Sequence, residues 1–208
     1  MTRLLDISPP ITSKIGVFPG DTPFSAQYLL RIDAGHNIDL STITTTVHLG
    51  AHADGPSHYR RGAEGIGERP LERYYGPCEV VCVEVRRGAR VMPAHFPNPP
   101  RAPRVLVRTS TFPDPDQWNP DFAALSPELV HWLADHGVIL VGIDTPSIDP
   151  QDSKLLESHS AVADRDLAVL EGLVLAAVEV GVYTLCAFPL NIPGGDASPV
   201  RAVLIDEG

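Results

Sequence analysis

Apolar positions along this chain come in short bursts, and few of them hold a helical spacing for long. "LSTITTTVHL" (residues 40–49) is β-branched and alternates, which predicts a strand ending near His48. "CEVVCVEV", "RVLVRTS", "VILVGID", "VYTLCAFPL" and "VRAVLI" are short apolar runs bounded by turn residues. Several are nearly continuous in apolar residues, the pattern of strands buried on both faces. The clearest helix is "SPELVHWLADHG", where Ser126 suits the N-cap, Pro127 the first helical position and Gly137 the exit. A second helix is predicted within "SKLLESHSAVADRDLAVL" (residues 153–170). With 21 prolines and 17 glycines breaking the chain into short elements, the expectation is a strand-rich α/β fold with few helices. "FPNPPRAPR" and "TFPDPDQWNP" read as loops too short to divide domains.

Length and charge narrow this picture. A chain of 208 residues suits one full core, so a single domain over 1–208 is expected. The net charge of −10 is spread along the chain and disfavours a nucleic-acid partner. "MTRLLDISPP" has no long apolar run and no stretch approaches a membrane span, so neither secretion nor membrane anchoring is expected. Cys78, Cys82 and Cys186 form no CxxC pair; they fit reduced thiols in a cytoplasmic protein, acting as small packing residues.

The chemistry concentrates in "VHLGAHADGPSH". His48, His52, Asp54 and His58 fall within eleven positions, and Gly50, Gly55 and Pro56 are expected to bend the chain there. Four such side chains can converge on one point. Imidazole and carboxylate without thiolate suit zinc, manganese or iron. Spacing alone leaves open which members bind and whether the site keeps a free position for water. More distant candidates are His159, after a polar stretch, and Glu171, set between "LAVL" and "GLVL". A carboxylate in so apolar a setting needs a partner, either a metal or an arginine. Asp144 and Asp149, in "GIDTPSIDP", read as turn residues or as supports behind the cluster. Ser110 and Ser147 have no recognisable nucleophile setting, which disfavours serine hydrolysis.

"HLGAHADGPSH" resembles the His-x-Gly-[Thr/Ala]-His-x-Asp-x-Pro-x-His signature of the cyclase-like metal hydrolases. "GIDTPSIDPQDSK" and "LEGLVL" make the chain similar to their bacterial kynurenine formamidase branch, and "LLDISPPI", "FPGDTPF" and "DASPVRAVL" extend the likeness over nearly the whole length. The resemblance implies an α/β fold with a barrel-like β core, a homodimer, and two divalent ions per subunit, usually zinc. It implies that His48, His52 and Asp54 hold the first ion, that Asp54 bridges to the second, that His159 ligates the second and that Glu171 bridges both. His58 is then the proton donor and acceptor. Phe18, in "GVFPGDTP", stands where the family usually carries a tryptophan that packs on substrate, which keeps an aromatic face but loses an N–H donor.

The activity so implied is hydrolysis of N-formyl-L-kynurenine to L-kynurenine and formate in tryptophan degradation, by metal-activated hydroxide. Two other readings stay open on the residues. One is a related hydrolase opening a cyclic amide such as isatin, or cleaving another amide or ester. The other is a metal-loaded small-molecule binding protein without turnover.

Overall fold

The computed structural model describes residues 1–207. Thirteen strands are present: β1 (Arg3–Asp6), β2 (Ser25–Leu30), β3 (Leu40–Thr44), β4 (His52–Asp54), β5 (Tyr75–Cys82), β6 (Arg90–Val91), β7 (Arg104–Arg108), β8 (Ala124–Leu125), β9 (Leu140–Ile143), β10 (Ala168–Glu171), β11 (Gly181–Cys186), β12 (Ala197–Pro199) and β13 (Val203–Asp206). Two α-helices, α1 (Pro127–Asp135) and α2 (Glu157–Asp164), and five short 3-10 helices accompany them among the described residues. Nine strands form one mixed sheet in the order β1-β13-β11-β5-β7-β9-β10-β4-β12, curled into a half barrel. The strand-rich α/β expectation therefore holds. None of the helices is long and apolar enough to cross a membrane, among the described residues.

The central strands β5, β7, β9 and β10 run parallel to their neighbours in that group. Their apolar residues alternate between two cores because side chains in a strand point to opposite faces. Leu106, Leu140, Ala168 and Leu170 pack inside the curl with Ile7, Tyr74, Leu185 and Leu204. Val105, Val107, Val141, Ile143 and Val169 face the other way, onto Leu129 and Leu133 of α1 and Val162 of α2. Burial on both faces explains why these strands read as continuous apolar runs.

The capping expected for α1 is present. Ser126 Oγ accepts a hydrogen bond from the Leu129 amide at 3.0 Å, Pro127 opens the helix, and Gly137 leaves it with φ +81°.

One expectation is sharpened and three need correction. The helix expected within residues 153–170 is Glu157–Asp164, and residues 168–170 lie in β10. Asp166, at φ +51°, turns the chain out of the helix, and its carboxylate is held by Arg69 at 2.8 Å and by Arg73. The strand expected to reach His48 ends at Thr44, because its partner β2 begins only at Ser25, just after Pro23. The expected bend contains a strand, β4, paired on one side with β10 and on the other with β12. Finally Cys82 is exposed at the end of β5, whereas Cys78 is buried as expected.

Candidate active site

Three of the candidate residues are placed by one pair of strands. His52 and Asp54 are two apart on β4 and so share a face. Antiparallel pairing sets Glu171 of β10 directly opposite His52. All three are buried, on the side where α2 packs. His159, in the first turn of α2, and Val162, three residues on, share that helix's inward face. His48 arrives from the loop before β4, and His58 from a single 3-10 turn, Pro56–His58, after it.

The donor atoms converge. His52 Nε2 lies 3.2 Å from Glu171 Oε2 and 3.5 Å from Asp54 Oδ1. His159 Nε2 lies 3.3 Å from Asp54 Oδ2 and 3.4 Å from Glu171 Oε1. His48 Nδ1 is 3.1 Å from Asp54 Oδ1. Despite these separations, His52 Nε2, His159 Nε2 and both Asp54 oxygens are buried without an aligned hydrogen bond. Atoms sharing a tetrahedral zinc, at bonds of about 2.0–2.1 Å, lie roughly 3.3 Å apart. The spacing and the unmet hydrogen-bonding capacity both suit atoms that face a common cation.

The outer nitrogens point to the same reading. His52 Nδ1 lies 2.8 Å from the Gly50 carbonyl, which can only accept, so the proton sits on Nδ1 and the lone pair on Nε2 faces the carboxylates. His159 Nδ1 is 2.8 Å from Asp149 Oδ2, the carboxylate–histidine pairing that orients an imidazole toward a metal. Asp149 also accepts the amides of Ser158 and His159, so one side chain both caps the start of α2 and turns its histidine. Those bonds hold the Asp149 carboxyl below the ordinary carboxylate range despite its burial. His48 Nε2 meets Asp196 Oδ2 at 3.1 Å.

Side chains alone would have to balance the two carboxylates with protons. Burial opposes charge on His48, yet Asp54 and Asp196 outweigh it and raise its pKa to about 9. His52 and His159 are likewise raised against burial by their carboxylate neighbours. A divalent cation satisfies the same oxygens and nitrogens without those protons.

His58 differs from the rest. Its side chain keeps 34% of its accessibility, and its ring lies 4.2 Å from that of His48 and 5.9 Å from that of His159. Loss of water around it, reinforced by His48 and His159 and opposed by Asp54, lowers its pKa, so the ring is neutral at pH 7. His48, Asp54 and His58 place ligand atoms within 4.8 Å of one another, as do His52, Asp54 and Glu171. His58 is thus near enough to serve as a base beside the cluster or to join it.

A cavity of about 500 Å³ opens onto the cluster at the carboxyl ends of β7, β9 and β10, where open α/β sheets hold their ligands. Phe18 lines it and is 43% exposed, so it belongs to the wall and not to a core. The indole of Trp118 meets Phe18 edge-on at 5.6 Å and Phe112 at 5.7 Å, and donates to Gln151 Oε1 at 2.6 Å. Asp144 closes the floor, accepting from the amides of Thr109 and Ser110 and from the Thr109 hydroxyl. It holds Ser110 in the left-handed region at φ +57° on the cavity edge.

Sequence reasoning missed Trp118 and Asp196 and left Asp149 without a defined role. All three owe their positions to contacts between distant segments, which no local pattern reports.

Gly172 ties the two halves of the cluster together. It follows Glu171 with φ +66°, and a Cβ there would lie 2.0 Å from the Gly50 carbonyl that fixes His52. Gly172→Ala is expected to cost about 2–5 kcal/mol, combining left-handed strain with overpacking against backbone. Denaturant unfolding and metal content of the purified variant check this, and a variant of unchanged stability would contradict the close approach.

Comparison with known proteins adds three findings. A family model described as "Putative cyclase" matches residues 5–150. Kynurenine formamidases of Bordetella avium and Bordetella petrii are 48% and 45% identical, each aligned over 100% of both chains. That of Bordetella pertussis is 47% identical over 98% of both. Among solved structures, a "Potential Metal-Dependent Hydrolase With Cyclase Activity" superimposes with a TM-score of 0.84 at 24% identity, covering 100% of both chains. Isatin hydrolase A from Labrenzia aggregata, bound to benzyl benzoate, gives 0.84 at 21% identity, covering 100% of this chain and 94% of its own. At such identities the solved structures speak for the fold alone.

Proposed function

The chain belongs to the cyclase family and, within it, to the kynurenine formamidases, and on that premise we propose that it hydrolyses N-formyl-L-kynurenine to L-kynurenine and formate. The observation that carries this reading is the meeting of His48, His52, Asp54, His159 and Glu171, with His58 beside them, at the end of an aromatic-walled cavity. In this reading His48, His52, Asp54, His159 and Glu171 would hold a pair of divalent ions, with Asp54 and Glu171 facing both positions. Their imidazole and carboxylate donors would suit zinc, with manganese or iron as alternatives. When bound, the ions supply Lewis acidity, acidifying water and polarising the formyl carbonyl.

The remaining steps belong to the chain. Phe18 and Trp118 flank the aryl ring and hold the formamide toward the cluster. Water adds to the formyl carbon, the C–N bond breaks, and the nitrogen departs as an aniline. His58, neutral and open to the cavity, accepts the proton of the attacking water and delivers it to that nitrogen. Gly50 and Asp149 keep the His52 and His159 rings in the tautomer that turns Nε2 inward.

The same reading includes a cytoplasmic homodimer. The apolar side chains of Tyr28, Leu29, Ile32 and Ile43, exposed on and beside the two-stranded β2–β3 hairpin, support a partner chain, since a lone hairpin is marginally stable in water.

A ring-opening reading remains, because isatin hydrolases share the fold. The 45–48% identity with formamidases over the whole chain favours the linear formamide. The test is a substrate panel on purified protein: N-formylkynurenine, isatin, an aryl ester and an aliphatic formamide. Turnover of formylkynurenine with one formate released per kynurenine is expected. Preferential opening of isatin would replace the proposed substrate, and inactivity on the whole panel would remove the hydrolase assignment.

A further inference from the structure

The cavity wall carries an unusual charge balance for a site that takes an amino acid. Its lining includes no lysine and no arginine. A substrate with a free α-amino acid end therefore finds no lysine or arginine for its carboxylate, which turns attention to the ammonium.

The carboxylates of the lining are Asp21, Asp144 and Glu171. Glu171 faces His52 and His159 and accepts the Ile148 amide at 2.7 Å. Asp144 is occupied on both oxygens by Thr109 and Ser110. Asp21 is different. Its Oδ1 accepts the Thr22 amide at 2.7 Å, which fixes the direction of the carboxylate, and Oδ2 has no hydrogen bond among the described residues.

Asp21 is also tied to the aromatic wall. The Asp21 amide donates to the Phe18 carbonyl at 2.9 Å, closing a turn with Pro19 and Gly20 at its centre, and Gly20 has φ +95°. Proline second and a left-handed glycine third make this a type II turn, whose ends lie within about 7 Å. Gly16 anchors the loop by donating to Pro115 O at 2.8 Å, next to Trp118. The ring that packs on Phe18 thus has Asp21 one turn-width away, a gap that the Asp21 side chain and the three bonds from an aryl ketone to an α-ammonium can span together.

We propose that Asp21 reads the α-ammonium of the substrate and makes the enzyme selective for aryl formamides carrying a cationic amine over uncharged or purely anionic ones. The assignment rests on the formylkynurenine reading above. Asp21 is a specificity residue on the rim and takes no part in the proton transfers.

The experiment compares N-formylkynurenine with its analogue in which hydrogen replaces the α-ammonium, on wild type, Asp21→Asn and Asp21→Glu. Asparagine keeps an oxygen for the Thr22 amide while removing the charge. Wild type is expected to prefer the amine-bearing substrate. Asp21→Asn is expected to raise KM for formylkynurenine roughly three- to tenfold with kcat within about twofold, and to leave the analogue's kinetics unchanged. Asp21→Glu should restore part of the preference. Equal losses on both substrates, or none on either, overturn the proposal while leaving the formamidase reading intact. A wild-type enzyme inactive on both substrates overturns the formamidase reading, and this inference falls with it.

Discussion

Stripping divalent metal from the protein is expected to bring hydrolysis of N-formylkynurenine down to the uncatalysed background, a loss of at least about 10⁴-fold, with recovery on adding back zinc, manganese or iron. The expectation follows from the buried cluster. Asp54 and Glu171 are almost fully buried, and the imidazole nitrogens facing them carry lone pairs in the tautomer set by Gly50 and Asp149. The cavity lining, among the described residues, has no lysine or arginine to polarise a carbonyl in place of a metal. The same treatment should lower thermal stability. A ligand bound only by the folded state adds about 4 kcal/mol at a thousand times its Kd, worth about 8–16 °C in Tm for a chain of this size. Activity that survives complete metal removal would end the mechanism. An unchanged Tm would show that the cluster does not hold the ion tightly.

His58→Ala is expected to cost about 10²–10⁴-fold in turnover while the bound metal content stays that of wild type. The ring is the open member of the cluster, its pKa is lowered by lost hydration and by its histidine neighbours, and it borders the cavity. Those properties suit proton transfer at neutral pH. The position of His58 beside His48 and Asp54 also makes ligation geometrically open to it. Metal analysis of the variant separates the two roles. Retained metal with a fall in kcat and little change in KM fits an acid–base group. Loss of both ions would make His58 a ligand and move the proton-transfer role elsewhere.

How legible this was in the sequence depends on whether a feature is local. The central strands were readable because they are buried on both faces and therefore continuously apolar, as in Val105–Val107 and Leu140–Val141. α1 was readable from its cap, proline and glycine. β10 was not, since four apolar residues after a helix look like more helix when only spacing is considered. β4 was hidden for a different reason. Histidine, alanine and aspartate have little strand preference, and it is pairing with β10 and β12 that makes them extended. The histidine cluster announced itself because its members are close in sequence. His159 and Glu171 were weak candidates by pattern and gained weight only from the family resemblance. Asp149, Asp196 and Trp118 act through contacts that join distant loops.

The pairing of β4 with β10 also sets an order of assembly. His52, Asp54 and Glu171 face one another only after strands far apart in the chain have found their register, and His159 joins only when α2 has packed on the sheet. An unfolded chain offers no such cage, unlike small zinc domains whose ion organises the polypeptide. On the proposed metal reading, loading would therefore be a late event, with metal entering a receptacle that the apolar layers on either side have already built.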